Sequence, residues 1–188
     1  GMLLTAGAVE SVVKKVEEYR LEKLIVDPVM IAKGGRSLMQ DRAKTVLIKK
    51  LLPKTFVLTP NIPEAEILAQ CSIKTVVEME KAAFIIHKFG ARNVLIKGGH
   101  LPKSKQLGAL DVLFDGERYY KFSVPWIASN NTHGTGCTYA SVLASAIALE
   151  KNIVDAVWQA KDMVTNAIKN GVMLGDGYGS VNIFGKTQ

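Results

Sequence analysis

From Ala8 to Tyr19 the apolar residues Val9, Val12, Val13 and Val16 recur at the spacing of one helical face, and the run Leu24-Ile25-Val26, stopped by Asp27-Pro28, reads as a buried strand. The unit recurs: Thr45 to Leu52 has helical spacing, Thr55 to Thr59 is strand-like, and Pro60 closes it. In Asn61-Ile62-Pro63-Glu64 an Asn suited to cap a helix is followed three residues later by a Glu that can reach back to the cap amide, which predicts a short helix through Ala69. Thr75-Val76-Val77-Glu78 has the same form and opens a helix to about Phe89, with Gly90 marking its end. A strand from Asn93 to Lys97 then stops at Gly98-Gly99. Helices and strands alternating at this spacing predict a parallel sheet with helices on both faces.

After Gly108 the pattern changes. Ala109 to Phe114 and Arg118 to Val124 are β-rich and flank Asp115-Gly116-Glu117, a hairpin signal that adds an antiparallel edge. Two long helical segments follow, about Thr138 to Leu149 and Ile153 to Asn170, and then the glycine-rich stretch Gly171 to Gly185, which reads as a flexible loop bordering a nucleotide pocket. No internal repeat or interdomain linker breaks the chain, so residues 1–188 are expected to form a single domain.

With 48% hydrophobic and 22% charged residues, the 188-residue chain has an ordinary globular composition and can bury a core without disulfide or metal support. No apolar run approaches the ~20 residues that span a bilayer, and no secretory leader pattern is seen. Only two cysteines, Cys71 and Cys137, occur, and the expected compartment is reducing and cytoplasmic. The net charge of +7 raises the question of nucleic acid. Its lysines, however, are dispersed (Lys14, Lys15, Lys49, Lys50, Lys169), with one short cluster at Lys103 and Lys105, and no aromatics are interleaved. A solvated surface is the expectation, with neither nucleic acid nor membrane as partner.

In open α/β sheets ligands collect at the carboxyl ends of the strands. The loops there are Asp27-Pro28-Val29-Met30, Thr59 to Glu64, Lys97-Gly98-Gly99-His100 and Asn131 to Cys137. In the last, Gly134, Thr135, Gly136 and Cys137 precede a helix, so their backbone N–H groups can converge on an anion with the helix dipole behind them. At such a helix start the Cys137 thiol would ionise more readily and could accept a proton from an alcohol or phosphate nucleophile. The same pattern also suits a small buried cysteine behind a glycine-rich turn. Lys97 is placed to reach a polyphosphate, or is simply solvated. Asp27 and Glu64 can share a Mg²⁺ through its waters, or act only as a turn cap and a capping-box carboxylate. His133, beside Thr132, can meet substrate or phosphate, or remain an exposed loop residue.

Gly185-Lys186-Thr187 resembles the end of a phosphate-binding P-loop, but Ser180 stands where its first glycine belongs, and the same Ser180 spoils a dinucleotide fingerprint at Gly175-Asp176-Gly177. His87, His100 and His133 with two cysteines give no zinc spacing.

Taken together, Gly1-Met2-Leu3, DPVM at 27–30, TPNIPEAE at 59–66, KGGH at 97–100 and HGTGC at 133–137 resemble the ribokinase-like small-molecule kinases, and among them the hydroxymethylpyrimidine and phosphomethylpyrimidine kinases of thiamine biosynthesis. The resemblance covers essentially the whole chain and implies a three-layer α/β/α fold with a mostly parallel central sheet. It implies Cys137 as the base, Gly134 to Gly136 as the phosphoryl anion hole, Lys97, Thr132 and His133 at ATP, Asp27 and Glu64 at Mg²⁺, and Met2 and Val29 at the pyrimidine. It further implies a homodimer. The family carries a substantial portion before its TGML segment, which holds part of the pyrimidine site, and this sequence starts inside that segment. Ile183 stands where a histidine is usual. A pyridoxal or pyridoxine kinase is the same-class alternative; a non-catalytic nucleotide- or pyrimidine-binding regulatory domain and a basic nucleic-acid binder are the others.

Overall fold

The computed structural model describes residues 2–32, 35–99, 101, 108–173 and 175–185. Gly1, His100, Lys103, Lys105, Lys186 and Thr187, named above, lie outside the described residues. Two compact units divide the chain, Gly1–Pro102 with Asp111–Lys121, and Lys103–Leu110 with Phe122–Gln188.

In the first unit, helix α1 (Ala6–Glu18) starts at Thr5, whose hydroxyl accepts from the Ala8 amide, and buries Val9, Val13 and Val16. Strand β1 (Ile25–Val26) follows, then α2 (Asp41–Val46). The helical segment begins four residues ahead of the expected Thr45 and changes character, with a π turn at Leu47–Leu51 and a 3₁₀ turn at Leu52–Lys54. Ala43, Leu47 and Leu51, each four apart, are all buried, and a wider turn keeps such a series on one line. Pro53, lacking an N–H, cannot continue the α-helical bonding, and the tighter turn takes over.

Strand β2 (Val57–Leu58) is shorter than the predicted Thr55–Thr59, although backbone bonds continue on either side of it, from Phe56 N–H to Leu24 at 2.8 Å and from Thr59 N–H to Val26 at 2.9 Å. Both predicted capping boxes are present, opening α3 (Ile62–Ala69) from Asn61 and α4 (Val76–His87) from Thr75. Strand β3 (Asn93–Ile96) is buried throughout. It pairs in parallel with β2, which pairs in parallel with β1, and antiparallel with β4 (Ala109–Phe114), with Ile96 opposite Val112. With β5 (Tyr119–Val124) the sheet runs β1-β2-β3-β4-β5, a parallel core with the expected antiparallel edge.

In the second unit, α5 (Thr135–Ala148) and α6 (Ile153–Lys169) pack as a pair, with Leu143, Ala146 and Ile147 of one and Ala156, Val157, Ala160 and Val164 of the other buried. Phe122 is buried edge-to-face on Trp158 with ring centroids 5.1 Å apart. The glycine-rich stretch differs from the flexible loop expected of it. Ser180 exchanges both backbone hydrogen bonds with Val172, at 2.9 and 3.0 Å, while His133 donates to Gly179 and accepts from Val181, each at 3.0 Å. Residues 179–181 thus form a strap bonded along both edges.

Candidate active site

The carboxyl ends of the parallel strands in the first unit are tied together rung by rung. Thr59 N–H donates to the Val26 carbonyl at 2.9 Å, and Lys97 N–H to the Pro60 carbonyl at 2.9 Å. This brings the loops after β1, β2 and β3 side by side. Across them the Lys97 ammonium lies 2.7 Å from Asp27 Oδ1, which also accepts from the Thr59 hydroxyl at 3.0 Å. The ion pair is largely sheltered, with side-chain exposures of 15% and 16%. Lys97 is therefore a held ammonium and not a solvated strand end. Within DPVM, Val29 N–H turns back to the Asp27 carbonyl at 2.9 Å, Pro28 and Met30 are buried, and Val29 is half-buried; Met2 is exposed.

Glu64 is 2% exposed, and its Oε2 accepts the Asn61 amide at 2.8 Å. Burial pushes its carboxyl above the ordinary range, and the Asp27 charge adds to this; the Asn61 amide, the Lys97 ammonium and the Met30 backbone act in the opposite sense. The Asp27 charge thus bears on the Glu64 carboxyl. That donor set fits a hydrated Mg²⁺, which keeps several waters and takes one or two carboxylates. Asp27 Oδ1 carries both of that carboxylate's hydrogen bonds among the described residues, leaving Oδ2 for a water of such an ion.

In the second unit, α5 starts three residues ahead of expectation, so Gly136 and Cys137 belong to its first turn. Gly134 caps it with φ +90°, a left-handed conformation that disfavours any side chain. The amides do not all remain free as expected: Thr135 N–H reaches the Thr132 carbonyl at 3.4 Å, and the Thr135 hydroxyl reaches the same carbonyl at 2.7 Å. Gly136 and Cys137, lying before the first α-helical bond from Thr138 to Gly134, keep theirs open among the described residues. The Cys137 side chain is exposed, which removes the alternative of a buried structural cysteine. Cys71 is half-buried, and burial pushes its thiol up. His133 is exposed and is held by its backbone on the strap.

The structure adds one residue that the sequence did not mark and gives a partner to Asn131, the first residue of the last loop. Asp111, 3% exposed on β4, accepts the Gly98 amide at 2.9 Å. A carboxylate inside the apolar run Ala-Leu-Asp-Val-Leu-Phe was the available signal. Asn131 donates to the Gly171 carbonyl at 3.0 Å and fills the space where Gly171 and Gly179 lack a Cβ. A cleft of about 650 Å³ in the second unit, lined by Asp155, Gln159, Asp162, Asn166 and Asn182 among others, includes no residue of the loops above.

Residues 1–182 match the family described as phosphomethylpyrimidine kinase. The chain is 44% identical over 182 residues to a thiamine biosynthesis bifunctional protein of Geobacter sulfurreducens, covering 97% of this chain and 36% of that protein. It is 41% identical over 184 residues to the hydroxymethylpyrimidine/phosphomethylpyrimidine kinase of Bacillus subtilis, covering 98% of this chain and 67% of that one. It thus spans between about a third and two thirds of these relatives. Among solved structures, the ADP complex of Bacillus subtilis pyridoxal kinase superposes with a TM-score of 0.88 at 35% identity, covering 96% of this chain and 67% of that one, so the fold is ribokinase-like.

Proposed function

Because this chain belongs to the phosphomethylpyrimidine kinase family, we propose that it transfers the γ-phosphoryl group of ATP to hydroxymethylpyrimidine and then to its monophosphate, for thiamine biosynthesis. The observation that carries the reading is the start of α5, where two unbonded amides, Gly136 and Cys137, stand beside an exposed thiol behind a left-handed glycine. Such amides stabilise the charge that develops on a transferring phosphoryl group.

In this reading the Cys137 thiolate takes the proton of the acceptor hydroxyl or phosphate. The acceptor oxygen forms its bond to the γ-phosphorus, and the bond to the bridging oxygen breaks, leaving the electron pair on ADP. The Gly136 and Cys137 amides receive the equatorial oxygens. Lys97, with one of its three donors on Asp27, has two for the ATP phosphates. Asp27 and Glu64 would hold Mg²⁺ through its waters, and the ion would neutralise phosphate charge. Thr132 and His133 border the nucleotide, and Met2 and Val29 the pyrimidine. A single domain over residues 1–188, a homodimer and cytoplasmic residence complete the proposal.

The similarity to a pyridoxal kinase supports a second reading, pyridoxine or pyridoxal as acceptor. ADP release from Mg-ATP is the test, with hydroxymethylpyrimidine, its monophosphate, pyridoxine or no acceptor. Release with the pyrimidines is the expected outcome; release with pyridoxine alone selects the second reading, and nucleotide binding without any release selects a non-catalytic domain. Cys137→Ala should lower turnover by about 10²–10⁴-fold, the usual worth of a general base, with ATP affinity nearly unchanged. Unaltered turnover would remove Cys137 from the chemistry.

A further inference from the structure

Three hydrogen bonds donated by main-chain amides fix the turn after β3. Lys97 N–H donates to Pro60, Leu101 N–H donates to the Gly98 carbonyl, and Gly98 N–H donates to Asp111 Oδ1, each at 2.9 Å. The third partner comes from the antiparallel strand, where the Ile96–Val112 register sets Asp111 beside the end of β3. Glycine-rich turns that receive phosphates usually do so through free glycine amides. Here the Gly98 amide is buried and held by a carboxylate, which repels an anion, while a Cβ at Gly99 would have nothing within 4 Å.

We infer that Asp111 is a positioning residue: by holding the Gly98 amide inward it makes the Lys97-Gly98-Gly99 turn a rigid mount for the Lys97 ammonium, and phosphate is met by that side chain and not by the Gly98 amide. The inference deepens the kinase reading and rests on it for the identity of the anion. In this inference Asp111 acts through the Gly98 amide and has no part in the chemistry.

The test compares Asp111→Asn, whose side-chain oxygen can still accept from Gly98, with Asp111→Ala, by amide exchange at Gly98 and by ATP KM and kcat. Loss of one hydrogen bond to a charged group corresponds to about 10-fold. In D111A, Gly98 exchange should quicken by at least about that factor and the KM for ATP rise by about the same, with kcat changing less. In D111N both values should stay close to those of the unaltered protein. Unchanged Gly98 exchange in D111A overturns the inference, as does a D111N whose KM rises by about 10-fold. Should D111A not fold, D111N alone decides. An unaltered chain that releases no ADP with any acceptor sinks the kinase reading instead, and the exchange measurement still judges Asp111.

Discussion

Glu64 combines a nearly inaccessible side chain with hydrogen bonds suited to a carboxylate, and the two work against each other. Its carboxyl titrates above the ordinary 4.5 because burial outweighs the help of the Asn61 amide and Lys97. A carboxyl raised on folding stabilises the fold while protonated, and that contribution fades as pH climbs from 4.5 through the raised value. Glu64→Gln cannot ionise, so the Tm difference between the variant and the unaltered protein should shift in the variant's favour between pH 4.5 and neutrality. A constant offset from the amide group facing Met30 leaves that slope untouched, and a flat difference would contradict the assignment. On the proposed function turnover should fall in the same variant, as expected where a carboxylate is buried at a cost in stability. Asp27, Glu64, Lys97 and Cys137 could be picked out as candidates in the sequence because each follows a strand or opens a helix. Asp111 was not, since its partner lies 13 residues back and meets it only through the antiparallel return of β4.

At the scale of elements, two glycine or cap substitutions should separate support of the site from support of the fold. A Cβ at Gly179 would run into the Asn131 side chain and stand 2.5 Å from the Val172 carbonyl, so Gly179→Ala forces the strap off its neighbours. The expected cost is about 1–3 kcal/mol of stability and, on the proposed function, weaker nucleotide binding, because the strap's backbone bonds hold His133 next to Gly134. Thr75→Ala, which removes the cap of α4, should cost about 1 kcal/mol and leave nucleotide affinity alone. Calorimetric ADP titration of both variants checks this; equal affinities would detach the strap from the site. The capping boxes of α3 and α4 and the β4–β5 hairpin could be read from the sequence because their signals are local. The onset of α2 could not, as Gln40 offers no side-chain cap, and the strap could not, as isolated bridges leave no alternation to read.

For the whole molecule, a net charge of +7 favours an anionic ligand without choosing one, and linkage gives a measurement that needs no turnover. A nucleotide at about 100 times its Kd stabilises the native state by about 2.7 kcal/mol. For a chain of this size that is a Tm rise of roughly 5–10 °C. ADP should produce that rise equally in the unaltered protein and in Cys137→Ala, and a rise abolished by the substitution would make Cys137 a binding residue. The bonds from His133 to Gly179 and Val181 carry a further consequence, for synthesis on the ribosome. At about 5–20 residues per second the loop emerges several seconds before the strap that lines it up. A nascent chain therefore passes through an interval in which Cys137 has left the tunnel while the backbone bonds that align its loop do not yet exist.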